Sequence, residues 1–247
     1  MFKQYLIIIF VINRTSIFVN MYKTIIISLA LLYSVVGYGQ KLQETRNFNT
    51  PKEVVVDGKM TIKFHKSEDV DIVIETDKVK LEDVYTKYEN NKLLIRVEPL
   101  DIEDGKVSID AYLPSFENLT LHRGAKTRIS QKMFTNDVTL TATTGADIRA
   151  QVQNNKTTIK ATSGSFIQLE GKTNKLEAIV HSGAKVRTDS LDLKFAKIKC
   201  RTGGFIAVTP TIEANIKSTL GGTVKLLKKV NVISKNTLFG KIERDAQ

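Results

Sequence analysis

Seven glycines set the beat of this chain: Gly124, Gly145, Gly164, Gly183, Gly203, Gly221 and Gly240, at intervals of 21, 19, 19, 20, 18 and 19 residues. The text around them rhymes, as LTLHRGAKTRI, LTATTGADIRA, IKATSGSFIQL, AIVHSGAKVRT, IKCRTGGFIAV and IKSTLGGTVKL. A fixed period of this size marks stacked repeats and restricts the fold before anything else is read. Third back from each glycine stand Leu121, Ala142, Ala161, Val180, Cys200 and Ser218; fifth back, Leu119, Leu140, Ile159, Ala178, Ile198 and Ile216. Third forward stand Thr127, Ile148, Ile167, Val186, Ile206 and Val224; fifth forward, Ile129, Ala150, Leu169, Thr188, Val208 and Leu226. The residues between are mostly Thr, Lys, Arg, Ser and His. Such period-two alternation belongs to strands with one buried face. Each glycine falls where the alternation breaks, which predicts a bend or bulge with φ > 0 there. A unit of about twenty residues cannot bury its own apolar face, so coils must stack, ~4.8 Å apart, around a shared core. The expectation is an all-β chain, a parallel β-helix whose like positions form interior files.

The first 39 residues read as targeting sequence. Residues 1–20 carry an apolar run, Tyr5–Ile12, broken by Asn13, Arg14 and Thr15, and read as an upstream mis-start. Residues 21–39 hold Lys23, an apolar run from Ile25 to Val36, and small residues at Gly37 and Gly39. That is the pattern of a signal peptide cut before Gln40. The alternative, one membrane anchor from Met1, suffers because neither run reaches the ~18–20 residues of a spanning helix. No cysteine follows the run to take a lipid. The expected product is exported, to the periplasm or cell surface, with no transmembrane span after cleavage. Residues 40–247 suffice for one domain with one core. Cys200, the only cysteine, excludes an intrachain disulfide and reads as a buried structural thiol.

Residues 40–116 alternate without the glycine rhyme, as in EVVVDGKMTIKFHK, VDIVIETD, NKLLIRVEP and KVSIDAYLP. Asp57–Gly58 is a hairpin signal. Lys80–Asn91 is the one place for a short helix or helical turn, with Asn90–Asn91 ending it. This part is expected to be a less regular β cap, because an open solenoid end exposes apolar surface and unpaired strand edges. The regular repeats occupy 117–247, and their last segment, with Phe239 before its glycine and a charged finish, is read as capping the far edge.

An exported chain that opens with strands such as VDIVIETD and NKLLIRV, then carries Ser-Gly or Thr-Gly turns every twenty or so residues, resembles a bacterial family, the putative auto-transporter adhesin head GIN domain. The likeness covers nearly all of the chain after Gln40 and rests on pattern, not on a chemical motif. Family turns are typically of SGSG type; here they stand as TTGAD, TSGSF, HSGAK and RTGGF, with RGAK and LGGT more degenerate. The resemblance implies a right-handed β-helix of the pectin-lyase type, exported, without catalytic residues, and an adhesion role.

No constellation of residues carries chemistry of its own. An enzyme on a β-helix would set carboxylates, or carboxylates with a base, on neighbouring coils. The outward column two after each glycine holds Lys126, Asp147, Phe166, Lys185, Phe205 and Thr223; the one two before holds His122, Thr143, Thr162, His181, Arg201 and Thr219. Neither stacks acids on adjacent rungs. His122 and His181 are three coils apart, ~14 Å, too far to share a zinc ion whose ligands lie ~2 Å away. His65 stands alone in its strand. No catalytic residue, metal ligand or cofactor site is assigned.

Charge is the sharper feature. Residues 40–116 hold 12 Lys+Arg against 16 Asp+Glu, and residues 117–247 hold 22 against 10. Four after each glycine stand Arg128, Arg149, Gln168, Arg187, Ala207 and Lys225, all expected to face out. Lys160, Lys199, Arg201 and Lys217 lie on the strand before the bend. The stripe Arg128, Arg149, Arg187 and Lys225 is the candidate binding site, suited to an acidic polysaccharide, lipopolysaccharide phosphate or the acidic patch of a surface protein. The plainer reading is a solvated basic face. Nucleic acid is a poor partner, since the repeats offer no aromatic stacking platform. Phe166 and Phe205 either face out, as a patch for self-association into a homo-oligomer, or turn into the core if the bend shifts the register. Two functions stand: a non-enzymatic envelope or surface binding module, which is favoured, and a β-helix polysaccharide lyase or hydrolase. Two acids converging in an outer groove would decide for the enzyme.

Overall fold

A computed structural model describes residues 42–77, 79–98, 105–130, 133–229 and 231–244; the targeting segments read at 1–20 and 21–39 lie outside them. The repeats coil as their sequence dictates. β8 (Phe116–His122) and β9 (Lys126–Ile129) are followed by β10 (Phe134–Ala142), β11 (Asp147–Ala161), β12 (Phe166–Val180) and β13 (Lys185–Arg201). Then come β14 (Phe205–Val208), β15 (Pro210–Thr219), β16 (Thr223–Leu226), β17 (Asn231–Leu238) and β18 (Lys241–Arg244). From β10 onward each lies parallel on the strand one coil before it, about 19 residues away, giving a β-solenoid of about six turns.

The interior files form as the alternation requires. Leu119, Leu140, Ile159, Ala178, Ile198 and Ile216 are successive partners in the ladders. So are Leu121, Ala142, Ala161, Val180, Cys200 and Ser218. No member of the four inward sets is more than 5 % exposed. At about 1.5–3 kcal/mol for each fully buried aliphatic side chain, these files are the main source of stability. Polar members are satisfied within them: the Thr188 hydroxyl donates to the Ala207 carbonyl at 2.8 Å, and Thr127 to Ile62 at 2.8 Å.

At the six corners from Gly124 to Gly221 the break in alternation is a two-residue turn. The residue before the glycine is also left-handed: Thr144 has φ 51° and Gly145 φ 72°, Ser163 54° and Gly164 69°. Ala146 N–H closes the turn on Thr143 O at 3.2 Å. Two successive positive φ values with this bond are the type I′ pattern, costly at the non-glycine residue. Stacking offsets the cost, because Gly145 N–H donates to Ser163 O on the next rung and Gly164 N–H to Ser182 O, each at 3.0 Å. A small residue must follow, because the corner is tight. At Gly222 a Cβ would stand 2.5 Å from the Cys200 carbonyl oxygen. Gly240 departs from the expectation: Phe239 before it is the left-handed residue, and Gly240 stands level with Gly222, in the small position that follows the turn.

The N-terminal part is less regular, as expected, but it is not laid beneath the repeats in chain order. β2 (Glu53–Asp57) and β3 (Thr61–Lys66) form a coil directly under β8 and β9. β6 (Lys92–Val97) and β7 (Lys106–Leu113) come later in the chain, yet lie below β2 and β3. The outer edges of that bottom coil are covered antiparallel, by β5 (Val84–Glu89) on β6 and by β4 (Asp71–Asp77) on β7, with β1 (Leu42–Asn47) on β4.

Two local expectations change. Asp57–Gly58 is no hairpin, since β2 and β3 pair with different strands and the turn between them is a solenoid corner. The hairpin is at Asn90–Asn91, with φ 51° and 60°, joining β5 to β6 through the facing pair Glu89 and Lys92. Asparagine tolerates this conformation better than most residues, which makes the pair a good two-residue turn. The helical turn shrinks to one 3-10 turn, Leu81–Asp83. At the other end Lys241–Arg244 continues the pattern as one more rung on β16.

Candidate binding face

The stripe forms as a file. Arg128, Arg149, Gln168, Arg187, Ala207 and Lys225 are successive ladder partners on the strands after the corner. Arg128, Arg149 and Arg187 are exposed, and Gln168 and Lys225 half-buried. Ala207 departs from the expectation: it is 4 % exposed. Its methyl is short, and its two partners in the file, Arg187 and Lys225, have long stems that shade it.

The charges are not equally available. Arg149 lies 3.3 Å from the Asp147 carboxylate and 5.6 Å from the centre of the Phe166 ring. Arg187 lies 3.8 Å from Asp189. Arg128 has no ion pair among the described residues. Phe166 and Phe205 keep the outward register but are half-buried, with Arg149 above the first and Lys185 5.7 Å from the centre of the second. Cation–π contact thus covers both rings.

The out-of-order coil adds a residue to the file. Lys63 is the ladder partner of Arg128, and it too has no ion pair among the described residues. Lys63, Arg128 and Arg149 therefore stand on three adjacent rungs, ~4.8 Å apart. They line an open groove of about 480 Å³ with His65, Ser130, Gln168 and Glu170. Glu170 is the one carboxylate of the lining, and Gln168 donates to it at 3.0 Å. Arg187 and Lys225 stand farther along the file, outside this groove.

His65 is not alone. Its Nε2 lies 2.6 Å from Asp110 Oδ1 on β7, and its ring stacks on Tyr112 at 4.7 Å. Sequence reading missed Lys63 and His65 because it set residues 40–116 apart from the stack. The available signal was the strand–Gly–strand text VVVDGKMTIKFHK, a repeat unit with a corner of the same length whose glycine sits one position earlier. His122 and His181 bind neighbouring hydroxyls instead, Thr143 at 2.6 Å and Thr162 at 3.2 Å. Among the described residues no three His, Cys, Asp or Glu side chains converge to hold a metal, and no helix is long and apolar enough to cross a membrane.

The family described as "Putative auto-transporter adhesin, head GIN domain" matches residues 50–229. The chain belongs to this family. The match takes in the groove, the stripe and the out-of-order coils. Solved structures with the same fold include a "putative adhesin" from Parabacteroides merdae, at 13 % identity and TM-score 0.67, over 85 % of this chain and 98 % of that one. A "putative adhesin" from Bacteroides fragilis aligns at 12 % identity and TM-score 0.66, over 83 % and 97 %. A "putative lipid binding protein" from Parabacteroides distasonis aligns at 12 % identity and TM-score 0.65, over 85 % and 98 %. No curated protein matches the chain. At these identities the likeness establishes the fold of the GIN domain and leaves its ligand to the side chains.

Proposed function

We propose that this GIN-domain protein is a non-enzymatic, exported, adhesin-like binding module that holds an anionic partner on its cationic stripe. The groove end of the stripe is the seat: Lys63, Arg128 and Arg149 take an acidic group, and Arg187 and Lys225 extend the positive field. The observation that carries the reading is the alignment of Lys63, Arg128 and Arg149 on adjacent rungs of a groove large enough for a sugar unit or two. The first two form no ion pair among the described residues; Asp110, which faces Lys63 across the ladder, is engaged by His65 at 2.6 Å. The groove's single acid, Glu170, speaks for holding an anion over general acid–base catalysis by paired carboxylates. The family description supports a place at the cell surface or beyond the inner membrane.

The test is a titration with a heparin tetrasaccharide, a short sulfated uronic-acid ligand. Replacing Lys63, Arg128 and Arg149 together with Ser should weaken binding at least tenfold and flatten its salt dependence. Unchanged binding in the triple variant would reject the groove as the seat.

A further inference from the structure

A second concentration of positive charge lies on another face, the strands that precede the corner. Lys197, Lys199 and Arg201 alternate along the outward side of β13, and all are exposed. Lys217 of β15 is the direct ladder partner of Lys199. Lys160 occupies the same file two rungs from Lys199, beyond Ile179. None of these five cations forms an ion pair among the described residues. The nearest acid in register, Glu177, faces Lys197 but is held by Lys175 at 3.0 Å and Lys156 at 3.2 Å. Glu213 lies at the edge, beside Phe195.

The fold does not require this arrangement. Other rungs of the Lys199 file carry Thr120, Thr141 and Ile179, and the coil stacks equally well there. Like charges directly opposite on neighbouring strands cost stability, a few tenths of a kcal/mol or more. Cations about 5 Å apart across strands and roughly 7 Å apart along one fit an extended chain of anions laid on a flat sheet. Phe195, 40 % exposed, begins the same outward file as Lys197, Lys199 and Arg201. It offers a flat apolar face at one end of the cations.

We propose that Lys197, Lys199, Arg201 and Lys217 form a docking face for an acidic polysaccharide, with sulfate or carboxylate groups on the cations and a sugar ring on Phe195. This site is separate from the groove and does not depend on it. A bilayer is the competing occupant, since half-buried Ile179 lies between Lys160 and Lys199 and the exposed Leu220 and Phe239 stand at the corner beyond Arg201. The polysaccharide is favoured because Lys197, Lys199, Arg201 and Lys217 adjoin one another with no outward apolar side chain inside the group. A nucleic acid would need a row of stacking rings, and this file has one.

The experiment compares full-length heparin with vesicles of three parts phosphatidylcholine to one of phosphatidylglycerol. The proteins are the wild type, K197S/K199S/K217S, the groove variant K63S/R128S/R149S, and Phe195→Ala. The face variant should lose at least tenfold in heparin affinity near physiological salt, and its slope of log affinity against log salt should fall by roughly two to three. Phe195→Ala should lose several-fold with the salt slope unchanged, a split that a merely structural role would not produce. All variants should match the wild type in circular dichroism. Heparin affinity unchanged in the face variant overturns the proposal, whatever the groove variant does. Vesicle binding lost in the face variant with heparin binding kept overturns it in favour of a lipid surface. Loss in the groove variant alone leaves the groove reading standing and this one rejected.

Discussion

The two parts of the solenoid reach the same cross-section by different means. From β8 onward, stacking order follows chain order and each coil repeats the last. In the N-terminal part, β2 and β3 lie between coils that come later in the chain, and the bottom edges are closed antiparallel. The repeats are held by apolar files. The N-terminal part has these too, with Val54 and Val56 under Leu119 and Leu121, and adds polar staples that specify which strand goes where. Arg46 of β1 donates to the carbonyls of Val84 at 2.6 Å and Leu81 at 3.2 Å and to the Thr86 hydroxyl at 2.9 Å. Asp57 accepts from Arg123 Nε at 2.5 Å and lies 3.4 Å from Arg96 Nε, tying three stacked levels together. A copied coil finds its neighbour through its own alternation; a chain that doubles back needs addresses.

The sharpest way to break this contrast is to hollow a repeat file. Leu140 is fully buried between Leu119 and Ile159. Leu140→Ala should cost about 2–5 kcal/mol of stability in urea unfolding. Because each coil contacts only its neighbours, hydrogen-exchange protection should fall first in β8, β10 and β11. Equal loss across β1 and β5 would show that the two parts share one cooperative unit and that the contrast is one of geometry alone.

The same contrast explains what could be read from sequence. In 117–247 the glycine beat fixes the register, so all four inward sets and the outward stripe were legible from spacing. In 40–116 the strands were legible from alternation, but their partners were not. The β2–β3 corner has the same length as the others but carries its glycine one position earlier, Gly58 standing level with Arg123, and the β4 and β5–β6 returns carry no period. That is why Asp57–Gly58 read as a hairpin, why His65 seemed solitary, and why Lys63 was absent from the stripe. Ala207 failed for a smaller reason, since alternation assigns a direction and exposure depends also on the size of neighbours. The cluster at Lys197, Lys199, Arg201 and Lys217 needed the ladder, because which cations lack an acid is a fact of two dimensions.

A smaller effect tests the polar addresses. Removing the Arg46 guanidinium leaves the Val84 and Leu81 carbonyls without that donor and frees Glu44, which it binds at 2.9 Å. Arg46→Ala should cost about 1–3 kcal/mol. Its mark should be local, with faster exchange in β1 and β5 and no change in β12 and β13. Loss of protection in β12 as well would mean that the staple supports the whole stack.

The smallest effect probes how dry the repeat files are. Cys200 is fully buried between Val180 and Ser218, and burial pushes its thiol from the ordinary 9.0 up to about 11. Between pH 9 and 11 the folded chain therefore keeps a proton that the unfolded chain gives up. The unfolded state binds fewer protons there, so this group's contribution lowers stability as pH rises, by about 1.4 kcal/mol per pH unit, and does nothing below pH 8. Tyrosines and lysines titrate in the same range, but they cancel when wild type is compared with Cys200→Ala. The difference in unfolding free energy between the two should be constant from pH 6 to 8 and should shift against the wild type by roughly 1–2 kcal/mol by pH 10.5. Native protein at pH 8 should also resist iodoacetamide until urea exposes the thiol. A difference that stays flat to pH 10.5, with rapid alkylation of the native state, would place water in the file. The repeats would then depend on polar satisfaction as much as the N-terminal coils do, and the distinction between copied and addressed coils would lose its energetic basis.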